Sequence, residues 1–468
     1  MELNSVKETD VLIVGAGPTG LALAVDLARR GVGALVVEKA DGLFPGSRGK
    51  GLQPRTMEVF DDLGVVGPVL AAGGRAPLGL IWKDGERLDE HDMFDRAEPT
   101  DAEPYGEPWL LPQWRTQEIL LARLRQLGGD VAFGQEVTAI AQDVDGVTAW
   151  QRSGTAVRAR YAVAADGGRS TVRTALGIDM DGESIDPSPI LVADVRIPDL
   201  DRDNWHMFGG DGGYTAICPL PGTEDFQLVA QFVTGTPDIS AESVRALVAE
   251  RTHLTADQVT EVRWASDFRP RVALAERFRD GRIFLAGDAA HIHSPAGGQG
   301  LNTSVQDAYN LGWKLGQVLR EGAPPALLDT YEEERRPIAA DMLGLSSRIH
   351  RGEAKRGSTT RQLGLGYRGG PLATGSAGAL TAGDRAPDGL LADGSRLFDV
   401  FRGPHFTLLA VGTDAELPPL PGPVHIHRTE PYEVYGKGLF LVRPDGYVGW
   451  AGEDAAGLGD YLANVTRW

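Results

Sequence analysis

The hydrophobic pattern at the start of the chain predicts a strand, a helix and a second strand in succession. The apolar run Asp10–Val14 is rich in β-branched residues, which is typical of a parallel strand buried on both faces. Gly17–Arg30 follows with helical spacing of its apolar residues, and Gly31 stands where a C-terminal helix cap belongs. Ala34–Glu38 is a second apolar run. We therefore expect a βαβ unit with a right-handed crossover.

The spacing of apolar residues changes in the middle of the chain. Before residue 180 it predicts short helices and strands, at Thr56–Leu63, Gln117–Leu127, Val131–Ile140, Val147–Trp150 and Tyr161–Ala165. From residue 190 apolar and polar positions alternate, which predicts strands at Ile190–Ile197, Tyr214–Leu220, Gln227–Val233 and Val259–Phe268. A mostly antiparallel sheet inserted between two halves of an α/β domain would explain this change.

The α/β pattern resumes after the insertion. It predicts a buried strand at Arg282–Ala286 and helices at Asn302–Leu319 and Tyr331–Ile349, and two more strands at Thr407–Val411 and Leu439–Arg443. The predicted fold class is α/β with a small C-terminal α/β domain. The expected divisions are a discontinuous first domain at 1–75, 110–180 and 275–350, a substrate-binding domain at 76–109 and 181–274, a linker at 351–384 and a C-terminal domain at 385–468.

Composition and charge exclude several functional classes. The 468 residues carry a net charge of −19 with no basic stripe, so nucleic acid is not an expected partner. Cys218 is the single cysteine, which excludes an internal disulfide and favours a buried, inert thiol. Met1–Asp10 lacks the shape of a signal peptide, and no uninterrupted apolar run could span a bilayer. We expect a soluble cytoplasmic protein without membrane contact, either a monomer or a homodimer.

The motif GAGPTG at residues 15–20 lies between the first strand and the first helix. Its first glycine permits a tight turn, its second lets the backbone approach a pyrophosphate, and its third lets helix and strand pack closely. The helix N-terminus offers free amides to the phosphates. Glu38, at the end of the next strand, could accept hydrogen bonds from a ribose diol. The pattern therefore predicts a dinucleotide site.

Two further motifs follow later strands. AADGGRS at residues 164–170 ends one strand, and LAGDAAH at residues 285–291 follows another, where ligands of open α/β sheets bind. A carboxylate at Asp288 could hold the hydroxyls of a polyol such as ribitol. PAGGQGLN at residues 295–302 opens a helix, and its glycines let the backbone approach a flat ring. That helix N-terminus could stabilise negative charge on a reduced flavin.

Together these motifs resemble the class A FAD-dependent monooxygenases, the p-hydroxybenzoate hydroxylase-like family. The resemblance is carried by GAGPTG at 15–20, ADGGRSTVR at 165–173, GDAAHIHSPAGGQGLNTSVQDAYNLGWKL at 287–315 and the arginine-bearing loop SRGKGLQPRTMEV at 47–59. It extends in particular to the polyketide and aromatic natural-product hydroxylases with a thioredoxin-like C-terminal domain. The resemblance implies a Rossmann-type FAD-binding fold with an inserted antiparallel-sheet substrate domain and a thioredoxin-like appendage.

The resemblance also implies a set of FAD-binding residues. Gly15, Gly17, Thr19 and Gly20 would hold the pyrophosphate, Glu38 the adenosine ribose, Arg48 and Gln113 the phosphate–ribitol region, Val137 the adenine, and Asp288 the ribitol or pyrophosphate. Pro295, Gly298, Leu301 and Asn302 would lie against the isoalloxazine ring, with Pro18, Lys39 and Gly300 as further contacts. Asp166 and Gly167 form the family's motif that serves both FAD and NAD(P)H.

The implied reaction is hydroxylation of a bulky aromatic or polyketide-type natural product. NAD(P)H would reduce FAD at a transient surface site, and the reduced flavin would form a C4a-hydroperoxide that transfers oxygen to an electron-rich carbon. The residue pattern identifies no catalytic base. Trp109, Trp114, Trp205 and Trp264 could line an aromatic pocket or belong to the core. His291 with His293, and His425 with His427, form HxH pairs without a third ligand cluster, so no metal site is expected.

Other functions remain open at this stage. A flavoprotein that uses FAD structurally, for a non-redox cyclisation such as a [4+2] reaction of a polyketide intermediate, would carry the same motifs and differ only in the lining formed by residues 180–275. A dehydrogenase or halogenase is a further alternative, although the chain has no WxW motif of the halogenase type. A non-enzymatic flavin-binding module is a fourth.

Overall fold

The structure is a computed structural model that describes residues 6–94, 96–184, 188–209, 213–233, 235–420 and 424–466. Residues 1–5, which begin the polar N-terminal segment, lie outside the described residues. The helices are α1 (Pro18–Arg29), α2 (Pro54–Asp62), α3 (Val66–Ala72), α4 (Gln113–Gln126), α5 (Thr171–Ala175), α6 (Ala241–Arg251), α7 (Gly300–Arg320), α8 (Thr330–His350), α9 (Leu397–Phe401) and α10 (Leu458–Val465).

The strands divide among several sheets. Those in the first part of the chain are β1 (Lys7–Val14), β2 (Ala34–Val37), β3 (Gly51–Leu52), β4 (Gly74–Arg75), β5 (Leu78–Lys83), β6 (Glu86–His91), β7 (Trp109–Leu110), β8 (Val131–Ala132), β9 (Val137–Gln142), β10 (Val147–Gln151), β11 (Ala156–Ala164), β12 (Met180–Ser184), β13 (Ile190–Arg196) and β14 (Asn204–Phe208). The later strands are β15 (Thr215–Pro219), β16 (Asp225–Gln231), β17 (Glu261–Phe268), β18 (Arg271–Ala275), β19 (Arg279–Asp280), β20 (Ile283–Leu285), β21 (His291–Ile292), β22 (Thr374–Ala377), β23 (Leu380–Thr381), β24 (Phe406–Val411), β25 (Val424–Thr429), β26 (Gly438–Val442) and β27 (Val448–Gly452).

The predicted βαβ unit is confirmed as β1, α1 and β2. Pro18 begins α1 at a position where a missing N–H costs nothing, and Gly31 has the positive φ of 69° that a helix C-terminus favours. In the described residues an eight-stranded sheet runs β19-β20-β11-β1-β2-β8, and β9 and β10 extend it beside β11. Strands β20, β11, β1 and β2 are parallel, and Val14, Ala164 and Leu285 end three of them in register. The three sequence motifs therefore leave the same edge of this sheet.

A second, mostly antiparallel sheet confirms the predicted change of pattern. Its order is β17-β13-β16-β15-β14-β5-β6, and β14 with β5 is its parallel pair. Apolar residues of β13, β15 and β16 pack with α6 to form a separate core. The sheet thus takes strands both from residues 78–91 and from residues 190–268.

Several elements of this region differ from the sequence-based expectation. Strand β6 is fully exposed and has the polar sequence ERLDEH, so it shows no apolar alternation. Strand β14 is buried at every position, including the polar Asn204 and His206, and therefore also lacks alternation. The single strand expected at Val131–Ile140 is wrong: it is divided into β8 and β9 around Gly134, which has a φ of 67°.

The C-terminal region forms a sheet of its own with the order β23-β22-β27-β26-β24-β25 among the described residues. A buried ion network joins it to α7 and α8. Arg443 donates to Glu334 Oε1 (2.6 Å) and Asp445 Oδ2 (2.6 Å), while Lys314 Nζ donates to Glu334 Oε2 (2.8 Å). Burial alone would raise the pKa of Glu334, but Arg443 and Lys314 lower it to about 2. The carboxylate is therefore charged at neutral pH and binds two cations from different parts of the chain.

In the described part of the chain, no helix is both long enough and apolar enough to cross a membrane.

Replacing Arg443 tests how strongly this network joins the C-terminal sheet to the rest of the protein. We expect Arg443→Met to reduce the free energy of unfolding by about 3–5 kcal/mol, because Glu334 and Asp445 lose a fully buried partner. Urea unfolding followed by circular dichroism measures the change. The control is Arg368→Met, which removes an exposed pair with Asp384 and should cost about 0–1 kcal/mol. An equal loss of unfolding free energy in both variants would contradict the conclusion that this network joins the C-terminal sheet to the rest of the protein.

Candidate functional site

Three backbone turns meet where the parallel strands end. Gly15 has a φ of 107°, and a Cβ on it would lie 2.3 Å from the carbonyl oxygen of Ala165. Gly287 has a φ of 62°, and its Cβ would lie 2.6 Å from Thr19 Oγ1. A Cβ on Gly20 would lie 2.0 Å from the Gly15 carbonyl oxygen. The turns after β1, β11 and β20 are therefore in direct contact, and they require glycine for reasons internal to the fold.

Gly17 differs from these glycines. Its φ of −71° suits any residue, and a Cβ on it would meet no protein atom within 4 Å. It stands immediately before α1, whose first amides have no acceptor within the helix. This combination of open space and free amides fits a diphosphate, because the backbone can approach the phosphates only where no side chain intervenes.

The residues expected at the adenosine end lie around Glu38. Its carboxylate accepts the N–H of Ala16 (2.9 Å) and the N–H of Ala40 (3.0 Å), which fixes the glycine turn against the end of β2. A carboxylate has further lone pairs, so a diol could still donate to it. The N–H of Gln135 donates to the Glu38 carbonyl (2.8 Å), which brings the start of β9 at Val137 to the same place. Lys39, in contrast, is exposed and its charge faces Glu136, outside the turn.

Charged side chains of the second and third motifs lie close to Arg48 of the arginine-bearing loop. Asp288 is accessible to solvent by area, yet burial raises its pKa and Arg48 opposes part of the rise. Arg48 is likewise exposed by area, while burial lowers its pKa. Each charge opposes part of the desolvation of the other, so Arg48 of the loop at 47–59 lies close to Asp288 of the third motif. Asp166 Oδ2 accepts the N–H of Thr171 (2.8 Å), whereas its buried Oδ1 has no hydrogen-bond partner among the described residues. Gly167, with a φ of 81°, follows it in the turn, and its Cβ would meet no atom within 4 Å.

The later glycine turn precedes α7. Gly298 has a φ of 64°, and its Cβ would be no closer than 3.8 Å to another atom, so the turn is open on that side. The side chain of Asn302 does not face the opening, since its Oδ1 accepts the Gln53 N–H (2.8 Å) and its Nδ2 donates to the Gly298 carbonyl (2.7 Å). The backbone amides of Gly300 and Leu301, at the start of the helix, are the groups that could face a flat ring.

The remaining expected residues surround this turn. Gln113 begins α4, and its Oε1 accepts the N–H of Gly49 in the arginine-bearing loop (3.1 Å). Leu301 lies beside the same loop, because a Cβ on Gly49 would be 3.5 Å from its Cδ1. Pro295 is exposed at the start of the turn. The structure thus collects the loop at 47–53, the turn at 295–302 and the start of α4 around one space.

A buried carboxylate fixes the third motif to α7. Asp307 Oδ2 accepts the Gly287 N–H (3.1 Å) and lies 2.5 Å from His291 Nε2, while its Oδ1 accepts Arg335 Nε (2.8 Å). Burial would raise the pKa of Asp307, but His291 and Arg335 lower it. His291 Nδ1 also lies 3.0 Å from His293 Nε2, and burial lowers the pKa of His293 well below its usual value. The first HxH pair therefore belongs to the turn, and the described residues contain no group of three or more candidate metal ligands.

The structure also shows charged residues that the sequence did not single out. Lys50 lies in the arginine-bearing loop at 47–59, and its charge alone did not mark it as a site residue. Its Nζ donates to Gln227 Oε1 on β16. Asp194 lies on β13 with 2% exposure, and neither carboxylate oxygen has a hydrogen-bond partner among the described residues. Burial raises the pKa of Asp194 to about 6, while the adjacent Ser47 opposes part of the rise. An acidic residue inside the apolar run ILVADVR was the available signal.

Comparison with known proteins identifies the family. A family model described as an FAD binding domain matches residues 8–346, and a second, described as the C-terminal part of aromatic-ring hydroxylases, matches residues 380–468. The chain belongs to the class A flavin monooxygenases. A flavin-dependent monooxygenase of Mycobacteroides abscessus is 47% identical over 97% of this monooxygenase and 100% of that protein. A 12-dehydrotetracycline 5-monooxygenase/anhydrotetracycline 6-monooxygenase of Streptomyces rimosus is 39% identical over 71% of this chain and 68% of its own.

Solved structures agree with this assignment of the monooxygenase. An aklavinone-11 hydroxylase in a ternary complex with FAD and aklavinone has a TM-score of 0.83 and 29% identity, covering 100% of both chains. A Diels-Alderase of the biosynthetic pathway of pyrroindomycins has a TM-score of 0.75 and 28% identity, covering 98% of this chain and 99% of its own. The α/β fold with an inserted antiparallel sheet is therefore shared with enzymes of both activities.

Substitution of Gly17 separates cofactor binding from folding in this monooxygenase. We expect Gly17→Ala to fold with a stability within about 1 kcal/mol of the wild type, since its Cβ meets no protein atom, but to lose FAD during purification. Gly15→Ala should instead destabilise the apoprotein, because its Cβ would overlap the Ala165 carbonyl. Flavin absorbance and urea unfolding of the apoproteins measure the two effects. Gly42→Ala, at another open position, is the control. A full flavin content in Gly17→Ala would contradict binding of the diphosphate at the turn before α1.

Asp194 gives a pH-dependent contribution to stability. Its folded-state pKa of about 6 exceeds the usual aspartate value near 4, so stability is fully present below about pH 4 and decreases as pH rises through about 6. We expect Asp194→Asn to exceed the wild type in stability by about 2–3 kcal/mol at about pH 8 and to lose most of that advantage near pH 4. Urea unfolding at the two pH values tests this. Asp267→Asn, an exposed change on β17, should show no such pH dependence, and a constant difference for Asp194→Asn would refute the assignment.

Proposed function

We propose that this enzyme binds one FAD and uses NAD(P)H and dioxygen to hydroxylate a bulky aromatic or polyketide-type compound. The observation that carries the proposal is the direct contact of three glycine turns at the ends of the parallel strands, with Arg48 and Asp288 close to one another beside them. The relatives named for tetracycline and aklavinone oxygenation support the substrate class.

The residues present fit FAD. In this proposal Gly15, Gly17, Pro18, Thr19 and Gly20 hold the pyrophosphate, Glu38 and Val137 the adenosine, Arg48, Gln113 and Asp288 the ribitol and phosphates, and Pro295, Gly298, Gly300, Leu301 and Asn302 the flavin ring. Asn302 would act through its backbone N–H, since its side chain holds the loop at 51–53. Asp166 Oδ1, next to Gly167, has no hydrogen-bond partner among the described residues and could accept a hydrogen bond from a ligand hydroxyl. Lys39 is the weakest member of the set because its side chain is exposed.

Bound FAD would supply the electron transfer and the oxygen activation, and the chain would supply binding, orientation and exclusion of water. The amides at the start of α7 would stabilise negative charge on the pyrimidine side of the ring. The substrate would lie between the flavin turns and the seven-stranded sheet. Gln227 supports that position, because its Nε2 donates to the Ser47 carbonyl while its Oε1 accepts Lys50, which ties the sheet to the arginine-bearing loop.

A non-redox cyclisation is the second candidate function. The Diels-Alderase of similar fold favours it, although its TM-score of 0.75 is lower than the 0.83 of the aklavinone-11 hydroxylase. Both functions require the same turns, so the difference would lie in the lining of the sheet and in whether FAD is reduced.

We also propose the division of the chain into a discontinuous FAD-binding domain at 1–75, 110–180 and 275–350, a substrate domain at 76–109 and 181–274, a linker at 351–384 and a C-terminal domain at 385–468. The gap between the two family matches, at residues 347–379, supports the position of the linker.

The net charge of −19 supports the absence of a nucleic-acid partner, and the single cysteine accords with a cytoplasmic location.

Anaerobic stopped-flow mixing of the holoenzyme with NADPH or NADH tests the proposed function. We expect the flavin absorbance to bleach slowly alone and at least about tenfold faster with a bound aromatic polyketide such as anhydrotetracycline, because the relatives act on such compounds. Readmission of oxygen should then give a product with one added oxygen atom, detected by mass spectrometry. A protein that binds FAD, resists reduction under every condition and still cyclises a polyene would instead be an enzyme of the second kind.

A further inference from the structure

Lys50 occupies the junction between the arginine-bearing loop and the seven-stranded sheet. Its Nζ donates to Gln227 Oε1 and lies 4.3 Å from the centroid of the Trp205 ring. The residue is half-buried by area, so part of its side chain remains accessible, and burial lowers its pKa. Among the described residues no carboxylate lies within ion-pair distance of this ammonium.

A second cation lies near Lys50, in the segment after α8. The Arg356 guanidinium lies 5.1 Å from the centroid of the Phe94 ring, and the Phe94 and Trp205 rings are 6.5 Å apart. Burial lowers the pKa of Arg356, and its charge contributes to the lowered pKa of Lys50. Arg356 also has no ion-pair partner in the described part of the chain. Two cations and two aromatic rings therefore form one continuous surface.

The other titratable groups around this surface do not neutralise it. Burial raises the pKa of Tyr214, which faces Arg356, to about 12, and the pKa of Cys218, which faces Lys50, to about 11. Both groups are uncharged at neutral pH. The carboxylate of Asp194 lies near Lys50, and within the described residues the two form no ion pair. This surface thus carries net positive charge inside a protein whose net charge is −19.

We propose that Lys50 and Arg356 together bind the ionised oxygen of an aromatic substrate whose ring lies beside Phe94. A buried cation without a partner costs free energy, and an anionic ligand that supplies the partner recovers it. Phe94, which is only partly buried, offers an aromatic surface beside Arg356 for a flat ring that carries the negative charge. The substrate loses its proton to water and the ammonium and guanidinium groups hold the anion, with no change in oxidation state. The inference rests on the proposed function and deepens it by assigning the group that this Lys50–Arg356 clamp recognises.

The test uses the FAD-loaded enzyme and three compounds that share a nitrobenzene ring: 4-nitrophenol, 4-nitrobenzoate and the neutral 4-nitroanisole. Calorimetry gives the affinities, and the absorption of 4-nitrophenol reports its ionisation. We expect an anion to bind at least about tenfold more tightly than 4-nitroanisole. Lys50→Met and Arg356→Met should each weaken anion binding by about tenfold and leave 4-nitroanisole binding unchanged, since each removes one charged hydrogen-bond donor.

Lys355→Met is the matched control, because it removes an exposed cation next to Arg356, and it should change each affinity by less than about twofold. Lys50→Arg keeps the charge and should restore the preference for the anion. Tighter binding of 4-nitrophenol would assign the clamp to a phenolate, and tighter binding of 4-nitrobenzoate would assign it to a carboxylate. Equal binding of anions and 4-nitroanisole, or anion binding that survives both Met substitutions, would overturn the clamp. Flavin content and reduction by NADPH, measured on the same samples, report separately on the proposed function.

Discussion

The charge on Asp307 is the interaction on which the cofactor region depends. A carboxylate without exposure to water persists there because His291 and Arg335 compensate its desolvation, and its remaining lone pair fixes the amide of Gly287. Helix α7 carries this carboxylate and also Asn302, which holds the loop at 51–53. The third turn, the arginine-bearing loop and the glycine turn before α7 therefore keep fixed positions relative to a single helix.

The parts of the fold that the sequence predicted are those in which local pattern and tertiary environment agree. The run Asp10–Val14 is apolar at successive positions because β1 is covered on both faces, and the glycines at 15 and 20 are needed by contacts within a few residues or with the adjacent strand. The positions of these turns and the family could therefore be derived before any coordinates. Roles of individual site residues stay predictions, and Asn302 shows why: its side chain satisfies neighbouring backbone groups, which its place in the motif does not reveal.

Some features escaped prediction because few of their side chains are buried or because they depend on residues far along the chain. Strand β6 pairs with the neighbouring strand β5 and has no buried face, and α6 buries only Val244, Leu247 and Val248. Lys50 and Arg356 belong to segments of different composition, and only the packing of Phe94 on Trp205 brings their charges together. A periodic pattern records which face of an element is covered, but it does not record which distant element covers it.

The ion network around Glu334 bears on how such enzymes diversify. Arg443 and Asp445 complete the charge balance around Glu334 on α8. Replacement of the C-terminal sheet by an unrelated one would therefore leave the buried Glu334 carboxylate without part of its compensation. The seven-stranded sheet meets the loop at 47–50 through hydrogen bonds made by the neutral side chains of Gln227 and Ser266. Variation at Gln227 or Ser266 would therefore remove a neutral partner, whereas exchange of the C-terminal sheet would remove the charge that balances Glu334.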